Sequence, residues 1–497
     1  MNTRRLTLSL TILITLIFSN SNSQTDSLAT FDFNKKYTVE QQRCDLKILK
    51  EVLQKVHPGI YWYTTKEKFE KKYESIYKNI KSEKTEYQFL LDILPLLEEI
   101  HCSHTYWQLS EDFEKYKTTY LKRFPINVKI IDKKIYVKDN FSSDTTIQIG
   151  EEITSINGLK TSSILATFAQ FASVDGINKD AQLSIVEAQF KTLLEMYFSF
   201  PTNYQIGYGT PQTKVKKVFA LSIKEYGNNY YKKYPQISSR RITFIDSLKT
   251  AVLTYDDFMC DSTEFVQFTN ESFKLIQDKK ISNLIIDVRK NYGGAGEYGG
   301  YLISHFAKKE FNMYDHLEMS VHPQDTIFKY ISHFYPPNFL KEVQDELDSG
   351  KIKKVNGVYV LEKSLYTGTA IQPFKPKKNN FNGKVYVLIS NMSFSAASDF
   401  AAAVFNTRAA ILVGQTTGGG YKGNTSEAVV ELKLPNSKIR VYIPVKKCLT
   451  SSSRVCSSDG VVPDYFVKSN INDFKKGIDS EMTFTLDLIK RQESKQK

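Results

Sequence analysis

Short, mainly apolar runs alternate with helical patterns in the second half of the chain, and this alternation restricts the fold more than any other feature. Each apolar run is too short for a helix and has the composition of a buried strand. The order strand, helix, strand occurs twice, first in Ala251–Tyr255, Ser262–Lys279 and Leu284–Val288, and again in Val385–Ser390, Ala396 to about Phe405, and Ile411–Val413. Such an order predicts layers of helices on a sheet, an α/β fold.

Length and composition fit a globular protein of several domains. The 497 residues exceed the size at which one hydrophobic core keeps growing, so two or three domains are expected. Hydrophobic residues make up 41% of the chain and charged residues 24%, values that exclude a disordered or fibrous protein.

The first residues have the pattern of a secretory signal peptide. Arg4 and Arg5 precede the apolar run Leu6–Phe18, and the small polar stretch Ser19–Ser23 follows it. A membrane anchor is the alternative, but the run is shorter than the roughly 20 residues that a spanning helix needs. We therefore expect residues 1–23 to be removed, leaving an exported protein, periplasmic or extracellular, with no stable membrane span.

The charge pattern argues against a nucleic-acid partner. Removing the predicted signal peptide lowers the formal net charge from +13 only to +11. Lysines are spread over the whole length, and they do not form the single basic block or stripe of a nucleic-acid footprint. A solvated basic surface is the expectation.

Five cysteines are too few for a disulfide scaffold and have the wrong spacing for a zinc site. Cys448 and Cys456 bracket a short Ser-rich loop, and a bridge between them is one candidate. The others, Cys44, Cys102 and Cys260, are expected to be buried thiols.

A helical region, predicted for residues 24–118, precedes the sheet-forming part of the chain. Apolar residues recur there at three- and four-residue steps, and Pro58–Gly59 divides the pattern into separate helices. The last helix is expected to end at Glu98–Ile100, which places His101–Thr105 on a loop.

Residues 119–235 have the pattern of a small β-rich domain. Strands are predicted at Ile126–Ile130 and Ile135–Val137. The string Ile149–Gly158 resembles the Gly-Asp-x-Ile-x-x-Ile-Asn-Gly segment of PDZ domains, although a plain hairpin would look similar. PDZ domains commonly bind chain ends by adding the peptide as an extra strand. The main α/β domain is then predicted for 236–475, with a polar, aromatic insertion at about 311–367, and a closing helix for 476–497.

Ser395 occupies the most specific string of the sequence, Ser393–Ala401, which follows a buried strand and opens a helix. A serine at such a turn exposes its hydroxyl beside unpaired helix N–H groups, whose positive end can hold a developing oxyanion. The alternative is an ordinary N-cap serine.

Three motifs in the same order resemble the tail-specific, or C-terminal processing, serine peptidase family. They are Asp287–Gly294, the stretch from Ser393 to Gly420 with Gln415 in place of a glutamate, and Gly460–Asp464. The resemblance implies a crotonase-like (ClpP/crotonase) α/β core, an attached PDZ-like module, and hydrolysis of peptide bonds with no metal or organic cofactor.

The resemblance also assigns site residues. Ser395 falls on the family's nucleophile, and the Ala396 amide with an amide of Gly293 or Gly294 falls on its oxyanion hole. In the Ser-Lys branch the base is a lysine at the position of Gly420, so that lysine is missing here.

In the tricorn-core-like branch the base is a histidine preceded by serine, on a loop after the N-terminal helices, and Ser103–His104 fits that description. An imidazole is suited to take a hydroxyl proton and return it to the leaving amine. The alternatives are a surface histidine, or a metal pair with His101. Lys422 is an alternative base if the glycine loop bulges.

That branch orients its histidine with a glutamate, and this sequence has Ser457 at the corresponding position. The orienting group is therefore open between Asp459, Ser103 and Ser457. Without an acceptor the histidine tautomer would be held less firmly.

Two functions from different classes follow. The first is an exported serine endopeptidase that hydrolyses unfolded proteins or peptides through an acyl-enzyme, with Ser395 as nucleophile and His104 as base. The alternative is a non-catalytic binding module of the same fold, similar to retinoid-binding repeats, for an apolar ligand or peptide. An acyl hydrolase of another fold is disfavoured because no Gly-x-Ser-x-Gly elbow surrounds Ser395.

Overall fold

The computed structural model describes residues 31–209, 213–362 and 371–494. The predicted signal peptide, residues 1–23, lies outside the described residues. Within them, the α-helices are α1 (Val39–Val56), α2 (Lys66–Asn79), α3 (Glu86–Glu98), α4 (Glu111–Tyr120), α5 (Thr161–Phe168), α6 (Lys179–Tyr197), α7 (Ile223–Lys233), α8 (Ser262–Asp278), α9 (Gly296–Ser304), α10 (Phe339–Asp348), α11 (Ala396–Thr407), α12 (Ile471–Lys476) and α13 (Ser480–Ser494).

The strands of the described residues are β1 (Lys36–Tyr37), β2 (Lys84–Thr85), β3 (Tyr106–Gln108), β4 (Lys122–Arg123), β5 (Ile126–Ile131), β6 (Lys134–Asn140), β7 (Glu152–Ile156), β8 (Leu159–Lys160), β9 (Asn203–Tyr208), β10 (Lys214–Phe219), β11 (Leu221–Ser222), β12 (Arg240–Ile245), β13 (Thr250–Tyr255), β14 (Asn283–Asp287), β15 (Tyr314–Met319), β16 (Ile331–Tyr335), β17 (Ile352–Val355), β18 (Val358–Glu362), β19 (Lys384–Ile389), β20 (Ile411–Gly414), β21 (Gly423–Lys433), β22 (Arg440–Thr450) and β23 (Tyr465–Phe466).

A six-stranded sheet, in the order β12-β13-β14-β19-β20-β23, forms the α/β layer that the apolar runs predict. The strands from β13 to β23 are parallel, and β12 joins them antiparallel. Both faces are covered, which is why the central residues of the inner strands are mainly apolar. Leu284 and Ile286 belong to the main core on one face, whereas Ile285 packs on the other face against Ile489 of α13. The closing helix therefore packs on this sheet.

A seven-stranded antiparallel sheet lies beside this layer. Its order is β16-β21-β22-β15-β18-β17, and β3 pairs with β22. The long hairpin β21–β22 is its centre, and β15 to β18 come from the segment predicted as an insertion, of which residues 363–367 lie outside the described residues. The segment thus supplies strands to a sheet that also receives β3, directly after the His101–Thr105 loop.

A second six-stranded sheet is built by the β-rich stretch, in the order β10-β9-β7-β6-β5 with β8 paired to β7. Helix α6 packs along its edge strand β5, where Glu187 accepts the Ile130 N–H at 2.7 Å. A tight turn joins β5 and β6, with Asp132 and Lys133 both at positive φ.

The N-terminal helices carry the base-candidate loop into the interior. Thr38 caps α1 with a capping box, and α3 ends at Glu98, as the sequence predicts. Leu90, Ile93 and Leu97 of α3 are buried. This packing fixes the point at which the chain leaves the helix for residues 101–105. Among the helices of the described residues, none has the length and apolarity required to cross a bilayer.

Candidate active site

Ser395 sits in a strained turn between β19 and α11. Its φ of +52° and ψ of −133° are unusual for a residue with a side chain, and such a conformation costs about 1–3 kcal/mol. The turn is tied to the end of β14: Ser393 Oγ donates to the Val288 carbonyl at 2.9 Å, and the Phe394 amide donates to the Asn291 carbonyl at 3.2 Å. These bonds hold Ser395 in an elbow that the sequence builds without flanking glycines.

Two glycines elsewhere in the chain make room for this elbow. A Cβ on Gly293, whose φ is +114°, would lie 2.9 Å from Ser395 Oγ and 3.2 Å from the Ala396 nitrogen. A Cβ on Gly419 would lie 2.2 Å from Ser398 Oγ and 3.0 Å from the Ser395 nitrogen. Both positions therefore require glycine for close approach to the serine.

His104 is the residue that the structure brings to Ser395. Its Nε2 lies 3.1 Å from Ser395 Oγ, and its Nδ1 lies 3.2 Å from Ser103 Oγ. The contact is buried, since His104 is 1% exposed and Ser395 8%. Desolvation lowers the pKa of His104, and the nearby Asp175 charge opposes that shift. A neutral imidazole on a serine hydroxyl is the arrangement of a general base.

Asp175 is a third group of the site that the sequence reasoning missed. One of its oxygens, Oδ1, accepts the Ser103 N–H at 2.8 Å, while Oδ2 is buried without a hydrogen-bond partner among the described residues. A carboxylate oxygen of Asp175 and a ring nitrogen of His104 lie within 4.8 Å of each other. An Asp-Gly pair between two helices is typical of an ordinary turn. Nothing in the local sequence therefore marks Asp175 as a residue of the site.

The Asp175 loop joins the base loop to the glycine loop beside the serine. The Asp175 amide donates to the Gly418 carbonyl at 3.3 Å, and the Gly176 amide donates to the His101 carbonyl at 3.1 Å. One short loop thus positions both the histidine and the backbone next to Ser395.

The other candidates for the orienting group lie apart from His104. Asp459 is exposed, and its Oδ2 accepts the Ile177 amide at 2.9 Å. Ser457 is also exposed. No hydrogen bond between described residues joins either of them to His104, so Ser103 is the only one of the three predicted candidates in contact with the ring.

Neither position considered for a lysine base, Lys422 or Gly420, brings an amine to Ser395. Lys422 is exposed at the start of β21, and no bond between described residues links its side chain to the serine. A Cβ at Gly420 would lie 2.4 Å from the Gly423 carbonyl oxygen and 2.9 Å from the Tyr63 hydroxyl. The place of the missing lysine is therefore filled by the Gly423 backbone and by Tyr63.

The three predicted oxyanion donors differ in their bonding. The Gly293 amide donates to Asn291 Oδ1 at 2.8 Å and is engaged. Among the described hydrogen bonds, none uses the amide of Gly294 or that of Ala396, the first residue of α11. A Cβ on Gly294 would lie 2.0 Å from the Phe258 carbonyl oxygen, so this position also needs glycine. Gly294 and Ala396 are the donors that remain for an oxyanion.

The proposed bridge between Cys448 and Cys456 is not formed, because both thiols are free. Cys448 is buried on β22, where its Sγ lies 3.6 Å from Ser426 Oγ, whereas the Cys456 thiol donates to the Gly460 carbonyl at 3.3 Å. The two side chains have separate partners.

Comparison with known proteins gives a family model and a set of similar folds. Residues 249–467 match the model of peptidase family S41. The structure of mature CPAF complexed with lactacystin has a TM-score of 0.64 at 14% identity, over 91% of this chain and 99% of that one. Mature CPAF alone gives 0.63 at 13% identity, over 91% and 98%. At these identities the likeness shows a shared mixed α/β fold. No curated protein sequence matches the chain.

Proposed function

Because the chain belongs to peptidase family S41 and is a serine-type peptidase, we propose that it is an endopeptidase with Ser395 as nucleophile and His104 as general base. The observation that carries the assignment is the 3.1 Å contact between His104 Nε2 and Ser395 Oγ. A binding module would need neither the strained serine nor a buried histidine on its hydroxyl.

Proton transfer within this pair starts the reaction. As Ser395 Oγ attacks the peptide carbonyl carbon, His104 Nε2 takes the hydroxyl proton, and it then gives that proton to the leaving amine. Water attacks the resulting ester with His104 again as base, which releases the acid and restores the hydroxyl. The 3.1 Å distance lies within the range for direct proton transfer.

Negative charge on the tetrahedral oxygen is held by backbone amides. The Gly294 N–H follows Gly293, which lies against Ser395, and the Ala396 N–H is on the residue after the serine. Ala396 also opens the 12-residue helix α11, whose N-terminus is the positive end of the helix dipole. One such donor accounts for about 10²–10³ in rate where donors have been removed singly.

Ser103 and Asp175 position and stabilise the base. Ser103 Oγ can accept a hydrogen bond from the N–H at His104 Nδ1. In that tautomer the lone pair of Nε2 is directed at Ser395. The Asp175 carboxylate favours the imidazolium that forms when His104 takes the serine proton. Ser103 and Asp175 are positioning residues, since neither touches the reacting atoms.

The buried site favours extended substrates. With Ser395 8% exposed and His104 1% exposed, a folded surface has no access, whereas a single extended strand could enter. We accordingly propose unfolded proteins or peptides as substrates. We also assign the six-stranded layer as a crotonase-like core and the sheet of β5 to β10 as a PDZ-like module that binds chain ends. Export by the segment 1–23 is part of the proposal.

The test is hydrolysis of an unfolded protein and a mixed peptide pool by the purified mature chain. Ser395→Ala and His104→Ala should each abolish cleavage, and Lys422→Ala, the matched control for the alternative base, should leave it intact. Cleavage that persists in His104→Ala but disappears in Lys422→Ala would overturn the assignment of the base. A folded wild type that cuts nothing but binds an apolar ligand would support the binding module instead.

A further inference from the structure

A small cavity is lined by Cys102, from the loop that carries His104, and by Asp175, His57 and Tyr63. Its volume of about 10 Å³ is the space of a single small particle such as one water molecule. Three of the residues that line it have a buried polar atom without a hydrogen-bond partner among the described residues: His57 Nε2, the Tyr63 hydroxyl and Asp175 Oδ2. Because an unpaired buried polar atom costs about 1–3 kcal/mol, the cavity is built for a polar occupant.

Cys102 and Asp175, which line the cavity, and the neighbouring His104 have the donor atoms that a metal ion would need. The Cys102 sulfur, a ring nitrogen of His104 and a carboxylate oxygen of Asp175 all lie within 4.8 Å of one another, and all three residues are buried. Zinc takes thiolate at about 2.3 Å and imidazole or carboxylate at about 2.0–2.2 Å, so tetrahedral ligand atoms stand roughly 3.5 Å apart. Side-chain rotations that move the ligand atoms by about an ångström would bring all three within bonding distance of one ion.

We propose that Cys102, His104 and Asp175 bind Zn²⁺ and that the ion inhibits the enzyme reversibly. The mixed sulfur, nitrogen and oxygen donors suit this borderline-soft cation better than Mg²⁺ or Ca²⁺, which prefer oxygen alone. On binding, the Cys102 thiol releases its proton to solvent and coordinates as thiolate. Asp175 binds through the oxygen that has no protein partner.

The fourth position of the ion faces the cavity and holds a water molecule. His57 cannot serve there without losing a bond, since its Nδ1 accepts the Gly59 amide at 3.1 Å and its Nε2 therefore carries the proton. That Nε2–H donates to the metal-bound water, and the Tyr63 hydroxyl is a second partner. Three protein ligands and a water are a common zinc coordination.

Inhibition follows whichever nitrogen of His104 binds the ion. If Zn²⁺ takes Nε2, the lone pair that would accept the Ser395 proton is used. If it takes Nδ1, the neutral ring carries its proton on Nε2 and again cannot accept one. The inhibitory part of this inference rests on the proposed function, whereas binding of the metal does not.

Binding is measured first, by calorimetry with Zn²⁺ on the full mature chain carrying Ser395→Ala. Cys102→Ser in that background should weaken the affinity at least tenfold, and Cys456→Ser, the matched control thiol, should not change it. Asp175→Asn is a second binding variant, which keeps the test decisive if the cysteine variant fails to fold. With Co²⁺ as the probe, a sulfur-to-cobalt charge-transfer absorption should appear and should be lost in Cys102→Ser.

Activity separates this inference from the proposed function. Zn²⁺ should inhibit cleavage by the wild type, a chelator should restore it, and Cys102→Ser should need at least tenfold more zinc. Equal affinity in the Cys102→Ser and Cys456→Ser proteins, or no cobalt–thiolate absorption, would overturn the site. A chain that binds zinc through Cys102 but cleaves nothing would leave the site standing and refute the peptidase assignment alone.

Discussion

Replacing Asp175 with asparagine should slow peptide hydrolysis strongly while leaving the fold intact. Asparagine has almost the same shape, and its carbonyl oxygen can still accept the Ser103 amide as Asp175 Oδ1 does. The substitution therefore removes the negative charge beside His104 and little else. Since this charge acts on the imidazolium that exists only after proton transfer, the loss should fall on kcat more than on KM.

The distance in the structure sets the size of the effect. With the carboxylate and the ring nitrogen within 4.8 Å, the Coulomb energy at an effective dielectric constant of about 20 is about 3.5 kcal/mol. Because each 1.36 kcal/mol is a factor of about ten in rate, we expect kcat/KM to fall by about 10²–10³. Burial of both residues keeps solvent screening small.

The assay is kcat/KM on a fluorogenic peptide as a function of pH, with Asp459→Asn as the matched control carboxylate. Burial lowers the pKa of His104 and Asp175 opposes that shift, so removing the charge should lower this pKa further. The acid limb of the profile should then move to lower pH while the plateau drops. The reasoning fails if Asp175→Asn keeps the wild-type rate and acid limb, or if Asp459→Asn shows the loss instead.

Three further predictions concern the serine turn, a buried acid and the closing helix. Gly419→Ala should lower kcat/KM about 10²-fold, because the Cβ of the alanine would lie 2.2 Å from Ser398 Oγ and displace the start of α11. Circular dichroism checks that the variant is still folded. Burial raises the pKa of Asp399 to about 7 from an unfolded value of about 3.9. The folded carboxyl thus binds the proton more tightly, so the free energy of unfolding should fall as pH rises from about 4 to 7, and urea titrations of Asp399→Asn should show a shallower dependence. Ile489→Ala should cost about 2–5 kcal/mol by the same titration, whereas the exposed Ile478→Ala should change stability by less than about 0.5 kcal/mol.

The sequence predicts the parallel layer well because its signals are local. Strands buried on both faces are continuous apolar runs, and the predicted Leu284–Val288 and Val385–Ser390 differ from β14 and β19 by one residue at each end. The helix that opens after Ser395 has small residues because it packs tightly into the core, where Ala397 and Ala401 are fully buried. Local pattern and tertiary environment agree in this region.

The long hairpin β21–β22 was missed, and its irregularities explain why. The register of the two strands shifts between Ser426 and Val429, where Glu427 has a φ of +64°. Pro444 stands in the middle of the partner strand opposite Val429, and a proline normally argues against an inner strand. The local sequence therefore does not predict these strands, which form through pairing with the neighbouring strands of the sheet.

The proposed catalytic pair, Ser395 and His104, and the carboxylate of Asp175 differ in how far the sequence could predict them. Ser395 stands in a local motif, and His104 followed from a family resemblance, with no pattern of its own beyond a loop after α3. Asp175 meets the Ser103 amide from 72 positions away in the chain. A contact between two loops so far apart in the chain produces no periodic pattern or fixed spacing in the sequence. Only the folded structure therefore reveals it.

Catalytic competence is consequently distributed over parts of the chain that no single motif covers. The segment matching the family model, residues 249–467, contains Ser395 and the candidate oxyanion amides, but it contains neither His104 nor Asp175. The Asp175 loop contacts both the matched segment and the base loop: the Asp175 amide donates to the Gly418 carbonyl, and the Gly176 amide donates to the His101 carbonyl. A displacement of this loop would withdraw the charge partner of His104 and break one bond to the base loop, while leaving the serine elbow and its amides in place. Proton transfer from Ser395 to His104 would then lack the carboxylate that stabilises the imidazolium, so we expect the rate of cleavage to depend on the position of this loop.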